Sequence, residues 1–347
     1  MNKIVVPVSY MGSGSSAITD LLSEFDGYIA PMGSSELMFM HYPNGVFDLE
    51  DKLLFANNAL RSDEAIRSFE KAMAELNDTK FWWAGNYQKS VSPRFYQYVK
   101  EYTSSLIQYE IDAFWYMQEK PTLNILIKKL WGQMLKLVSL GKVNLKRPLR
   151  YQNMKLSFVE DEEFYKCTSE FMYKIFNDMG LQKYNLILDQ LFTPFDVHRY
   201  SRYFGEDIVC FVVDRDPRDV FLLNKYVWKP ADTPVPFPTD AEDFVRYYIS
   251  IRKMEQVSDS EHIHHIHFED LIYNYDDTLK YIKNILEIAE GRQKKQKCYF
   301  KPDKSINNTQ LFSLDTHRDE IMIIEQGLGE YLYKFPYKRI PNIEGAF

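Results

Sequence analysis

Two segments, far apart in the chain, carry residue types suited to anions. The first runs Val8-Ser9-Tyr10-Met11-Gly12-Ser13-Gly14-Ser15-Ser16, where an apolar run from Ile4 to Val8 gives way to small residues. An apolar-periodic stretch follows, with Ala17, Ile18, Leu21 and Leu22. The pattern predicts strand, tight turn and helix, with glycines where the backbone must come close to something. Amides of such a turn converge on one point and the helix dipole adds partial positive charge, so the natural guest is a phosphate or sulfate. A Walker-type loop needs Lys and then Ser or Thr after its last glycine. Here Ser15 and Ser16 follow Gly14, which disfavours ordinary ATP or GTP hydrolysis and leaves anion binding open. The plain alternative is a Ser/Gly turn that binds nothing.

The second segment is Asp207 to Tyr226. Ile208 to Val213 is a continuous apolar run, as expected of a parallel strand covered on both faces. Arg215 falls just past its C-terminal end, where open α/β sheets bind their ligands. Asp216 is placed to cap the next helix, Pro217 sits at its first position, and Asp219 favours its first turn. Arg215 is then an always-charged fork suited to a second phosphate. Its structural alternative is a salt bridge to Asp214, Asp216 or Asp219.

Together these segments resemble the sulfotransferase family, enzymes that take a sulfuryl group from PAPS (phosphoadenosine phosphosulfate). Gly12-Ser13-Gly14-Ser15-Ser16 is similar to the family's phosphosulfate loop, and Arg215-Asp216-Pro217-Arg218-Asp219-Val220 to its Arg-Asn/Asp-Pro-Arg-Asp-Val motif. His267-Phe268-Glu269-Asp270-Leu271 is similar to its Tyr-Glu-Asp-Leu segment, and Ser305 to Thr309 to its nucleotide-covering loop. The likeness runs from residue 3 to about residue 335, without a match over about 50 to 155. It implies that Met11 to Ser16, Arg215, Asn224, Ser305 and Asn308 hold PAPS or its product PAP, with no metal. The chain departs from the family at three points. Gly12 stands where the family has Arg or Lys, Leu223 where it has a phosphate-binding Ser, and Gln190 where it commonly has Lys. Asn224, one position on, offers a substitute donor but leaves the helix about 100° further round.

Sulfuryl transfer to a hydroxyl needs an in-line attacker, a base for its proton, and donors on the leaving oxygen. The donors expected here are the amides of residues 12–16 with the hydroxyls of Ser15 and Ser16. Glu36 lies at the distance past Gly12 where carbohydrate- and tyrosine-directed members place a catalytic Glu, so it is the first choice of base. His41 is the second, because an imidazole titrates near neutrality. Either has a bland alternative, a surface carboxylate for Glu36 and a structural imidazole for His41.

Composition bounds these readings. The 347 residues suffice for one large α/β domain. A net charge of −7 argues against generic nucleic-acid binding. Cys167, Cys210 and Cys298 show no paired spacing, which fits a reducing compartment. The N-terminal apolar run is short and contains Pro7, unlike a signal peptide, and no stretch reaches the roughly 18 apolar residues of a span. The expectation is a cytoplasmic protein.

The elements that must position these groups follow from periodicity. Helices are expected over 62–76, 93–118, 122–140, 161–179, 194–204, 239–257 and 276–288, with strands over 185–188, 207–213 and 262–267. Pro230 to Pro238 suits a loop that covers the nucleotide. Strands alternating with helices imply a parallel sheet. The expected fold is thus α/β and three-layer, a central parallel sheet flanked by helices, sulfotransferase-like and P-loop-containing. It forms a single domain over 1–347, with 50–155 a helical insertion on the acceptor side.

Two clusters point elsewhere. His262, His264, His265 and His267 would split between the two faces of a strand, so no metal site is expected. The stretch from Leu123 to Arg150 sets Lys128, Lys129, Lys136, Lys142, Lys146, Arg147 and Arg150 among Leu, Ile, Val and Trp131. It suits an anionic glycan or a membrane surface, although a solvated amphipathic helix is the commoner meaning. The function expected is transfer from PAPS to a hydroxyl, most readily of a saccharide. Aromatic residues make up 16% of the chain, and Trp82, Trp83, Trp115 and Trp131 suit stacking on sugars, a lipid or sterol alcohol, or simply a core. The alternatives are a nucleotide-binding protein without catalysis and an NTP-dependent phosphotransferase.

Overall fold

The computed structural model describes residues 2–10, 12–33, 35–81, 83–113, 123–143, 153–230, 237–256, 260–314 and 316–341, with the backbone alone at Ile125. The chain divides into two units, one of residues 1–41, 75–95 and 172–347, the other of 42–74 and 96–171.

The first unit holds a five-stranded sheet in the order β2-β5-β1-β6-β7, with every pairing parallel. Its strands are β1 (Ile4–Ser9), β2 (Tyr28–Ile29), β5 (Asn185–Ile187), β6 (Ile208–Asp214) and β7 (Ile263–His267). All residues of β1 and β6 are buried, as a central parallel strand covered on both faces requires. Ile18, Leu21 and Leu22 of helix Ser15–Leu22 pack with Val5, Phe211, Val213 and Ile266 in one apolar cluster. Helices flank the sheet, so the expected α/β architecture with a central parallel sheet is the one observed. β1 lies between β5 and β6, and Ser9 pairs with Val213. The loops after β1 and β6 therefore leave the sheet side by side at its C-terminal edge.

The second unit is built from helices and a small antiparallel ladder. Its core joins Phe69, Tyr102 and Phe171, with the rings of Tyr102 and Phe171 stacked at 4.8 Å. Glu70 receives both Lys100 and Lys155 at 2.8 Å. The ladder pairs β3 (Tyr109–Ile111) with β4 (Met154–Leu156). This corrects the helix expected over 93–118. The helix is Phe95–Leu106, and Gln108 then bonds Leu156 as the chain turns to pair with β4. A partner far along the chain overrides the local period. The segment expected as a helix over 194–204 is a 3-10 turn, Val197–Arg202, preceded by Thr193 and Asp196 bonding each other.

Candidate functional site

The loop after β1 opens helix Ser15–Leu22 with Gly14 in the left-handed region (φ 102°) and no side chain capping the end. A Cβ on Gly14 would stand 2.9 Å from the ring of Phe268, so glycine is required on two counts. Ser13 turns inward, donating to the carbonyl oxygens of Tyr10 and Val213, and this second bond lays the loop over the end of β6. Ser15 also turns inward. Its hydroxyl receives Ser9 Oγ at 3.1 Å and Gln190 Nε2 at 3.2 Å. The loop therefore offers an anion the first-turn amides of Ser15 and Ser16 and the exposed Ser16 side chain, while the Ala17 amide bonds the Gly14 carbonyl at 3.0 Å and the Ser15 hydroxyl serves the loop itself. Gln190, where Lys was expected from the resemblance, braces β1 and the loop from the β5 side.

Asp216 caps helix Pro217–Leu222 by accepting the amide of Arg218, with Pro217 in the first turn. Arg215, one residue earlier, is 6% exposed. Its Nη1 donates to the Gly12 carbonyl at 3.0 Å, its Nη2 to the Asn308 carbonyl at 2.5 Å, and its guanidinium lies 4.5 Å from the Phe268 ring centroid. Asp216 is instead engaged by Arg218, and Asp214 by Arg252 and His265. Burial lowers the Arg215 pKa, opposed by the charges of Asp219, Glu269 and Asp216. Its Nε has no partner. Arg215 also lines a cavity of about 310 Å³ with Asp214, Tyr248, Arg252, His267 and Glu330 to Leu332.

Asp219 does something its place in the helix did not reveal. Its carboxylate accepts the amides of Gln310 and Leu311, each at 2.8 Å, and Arg339 holds the Ile306 carbonyl and Asn307. Segment Ser305–Gln310 is thus pinned from three sides, by Asp219, Arg215 and Arg339. Asn308 meets Arg215 through its backbone, and its buried Oδ1 has no partner. Ser305 is half-buried at the end of the short helix Pro302–Ser305.

Asn224 begins the space beside Gly12. Its Nδ2 donates to the Val220 carbonyl, and it would lie 3.6 Å from a Cβ on Gly12. Over Leu223–Trp228 the helix widens to a π turn, with Lys229 bonding the Asn224 carbonyl five residues back. In so wide a turn Asn224 and Trp228 share a face, and both meet Gly12.

Glu36 reaches the same region from the other side of β1. The amide of Leu37 bonds the Asp189 carbonyl at 3.1 Å, and Asp189 adjoins Gln190. Burial, reinforced by the negative charge of Asp189, pushes the Glu36 carboxyl up to about 7. Burial also raises Asp189, to about 6, with Ser15 and Thr19 pulling back. His41 is placed differently. Its Nε2 lies 2.8 Å from the Gln190 carbonyl, so this nitrogen carries the hydrogen and donates. Burial lowers its pKa against the pull of Asp196. A pinned, buried imidazole makes a poor base for an incoming hydroxyl, and Glu36 is the better placed of the two.

The structure thus brings Gly12 to Ser16, Glu36, Arg215, Asn224 and Asn308 to one sheet edge. Met11 lies outside the described residues, as do Ser34, Trp82, Trp115, Lys146, Arg147, Arg150 and most of the Pro230–Pro238 loop. Sequence reasoning missed Trp228 altogether, and it missed the contacts of Phe268 and Asp219, which join segments distant in the chain. Among the described residues, Glu206, Glu261 and His262 bring ligand atoms within 4.8 Å of one another, with both carboxylates exposed. Also among them, no helix is long and apolar enough to cross a membrane.

No protein-family model matches the chain, and no curated protein matches it. Among solved structures, a sulfotransferase domain from the curacin biosynthetic pathway aligns over 85% of this chain and 77% of its own, at 11% identity and a TM-score of 0.36. So distant a likeness carries no argument about activity.

Proposed function

We propose that the protein is a sulfotransferase that carries the sulfuryl group of PAPS to an acceptor hydroxyl. The observation behind this is Arg215, which bonds Gly12 and Asn308 at once. It ties three segments that each suit an anionic nucleotide into one site at the C-terminal edge of a parallel sheet. In the reaction, the acceptor oxygen bonds to sulfur as the bond from sulfur to the phosphate oxygen breaks. The acceptor's proton passes to Glu36, whose carboxyl at about 7 is ionised often enough and basic enough to take it. The first-turn amides of Ser15 and Ser16 face the leaving phosphate, where fixed dipoles in a sheltered site are worth most. No metal is needed for this step. A saccharide is the proposed acceptor, on the strength of a carboxylate base; a lipid or sterol alcohol uses the same chemistry.

A second reading, a nucleotide-binding protein without transfer, is favoured by one observation. Position 12 has no cation, and the Trp228 ring fills the room for one. Calorimetric titration with PAP, and separately with ATP and Mg²⁺, tests the donor class. PAP binding with ATP silent supports the donor. Mg²⁺-dependent ATP binding with PAP silent overturns the PAPS donor and leaves only the fold. Label transfer from sulfur-labelled PAPS to a saccharide panel then separates enzyme from binding protein.

A further inference from the structure

Helix Leu123–Val138 of the second unit exposes an apolar stripe that is unusual for a protein surface. Leu126, Ile127, Leu130, Trp131, Met134 and Leu137 are between 45% and 76% exposed. At 100° per residue they fall within one contiguous arc, while Lys128, Lys129, Gln133 and Lys136 occupy the other side. Scattered apolar residues on a surface need no explanation, but a continuous stripe of this length does.

We infer that this helix lies on an anionic lipid surface, its apolar face down among the acyl chains and its lysines at the level of the head groups. The charge pattern selects this partner. No Asp or Glu occurs between Glu119 and Glu160, although the chain as a whole carries a net charge of −7. Lys128, Lys129, Lys136 and Lys142 thus form a basic island on an acidic protein. A Leu- and Trp-bearing face backed by lysines is what an interfacial helix requires, because lipid takes the apolar side while anionic head groups take the cations. Long lysine stems reach those head groups from the flank of the helix. The helix has 16 residues, short of the roughly 20 that cross a bilayer, so it lies along the surface. A second copy of the chain fits less well, since pairing the two stripes would leave the lysines on the opposite side without an anionic partner. This inference does not rest on the sulfotransferase reading.

The test is flotation of the full-length protein with phosphatidylcholine vesicles, with and without phosphatidylserine. Binding is expected to the serine-containing vesicles, to weaken as salt is raised, and to be slight on phosphatidylcholine alone. Leu130→Asp with Met134→Asp should abolish it. Lys129→Gln with Lys136→Gln should weaken it about 25-fold, from roughly fivefold per cation near such a surface. All four positions are solvent-facing, and an unchanged thermal melt confirms that the variants fold. Failure to float with either vesicle overturns the inference, as does flotation indifferent to the two aspartates. Self-association that the aspartates dissolve, without vesicle binding, would assign the face to a second copy. Retention on a sulfated polysaccharide, without vesicle binding and sensitive only to the lysine changes, would assign it to a glycan.

Discussion

The indole of Trp228 occupies the space that a side chain on Gly12 would need: a Cβ there would lie 2.9 Å from Cζ3 and 3.0 Å from Cη2 of the ring. Gly12 also has φ 90°, a conformation that L side chains rarely adopt. The absence of Arg or Lys at this position is therefore built into the fold on two counts, one steric and one conformational. Gly12→Ala should cost about 2–4 kcal/mol by denaturant titration, from backbone strain plus overpacking. Adding Trp228→Ala should recover only the packing share. Full recovery would mean that the backbone at 12 relaxes freely, and no initial loss would mean that Trp228 does not hold its place.

Arg215 links the same loop to Asn308, and its test separates a nucleotide ligand from a structural clamp. Lysine keeps the charge but cannot reach two carbonyls as a planar fork. Arg215→Lys should lower the melting temperature and weaken PAP at least tenfold more than adenosine phosphosulfate, which lacks the additional ribose phosphate. Equal losses for both ligands, measured by calorimetry, would leave Arg215 as a clamp between the loop and Asn308.

Glu36 should announce itself in the pH dependence of transfer. A general base must be ionised, so kcat should climb through pH 7 and level off above it. Glu36→Gln should cut kcat about 10²–10⁴-fold and leave PAP affinity unchanged. Asp189→Asn removes the secondary cause of the shift, while burial, the larger cause, persists. The acid limb should then move to lower pH without reaching the ordinary carboxylate range. A limb that stays near 7 in Glu36→Gln would assign it to another group.

How much of this was written legibly in the chain depends on the range of the interaction. The run Ile4–Val8, the glycines and the periodic Ala17–Leu22 name strand, loop and helix because each signal is local. Asp216 capping Pro217–Leu222 is equally local, and the sequence pattern had it right. The strand β3 was hidden inside a helical period because its partner, Met154–Leu156, lies more than forty residues on. Asp219 reads as a first-turn carboxylate, and nothing nearby in sequence announces that it holds Gln310 and Leu311. Arg215 was legible as a charged fork at a sheet edge, but its burial and the carbonyls that receive it, 203 and 93 residues away, were not. Ser15 looked like an anion ligand until Ser9 and Gln190 claimed its hydroxyl.

Glu269 gives a prediction on stability rather than activity. It is fully buried, its Oε1 accepts the Asp216 amide at 2.9 Å, and its Oε2 has no partner. Burial first, then the charge of Asp216, pushes its carboxyl up to about 8, while the Asp216 amide and Arg215 pull back. In the unfolded chain the group titrates near 4.3. Between these values the folded protein keeps a proton that the unfolded chain has released, so raising the pH favours unfolding. The contribution of neutral Glu269 is full below the unfolded pKa, shrinks by up to about 1.4 kcal/mol per pH unit, and is gone above about 8. Asp219, raised to about 7 by burial and then Asp216, adds a loss of the same sign over a narrower window. Glu269→Gln keeps an oxygen for the Asp216 amide and cannot ionise, so denaturant midpoints measured from pH 5 to pH 9 should fall less steeply than in the parent. The slopes carry the test, since any offset from the new amide is the same at every pH. Parallel slopes would show that Glu269 is already charged in the folded protein at neutral pH.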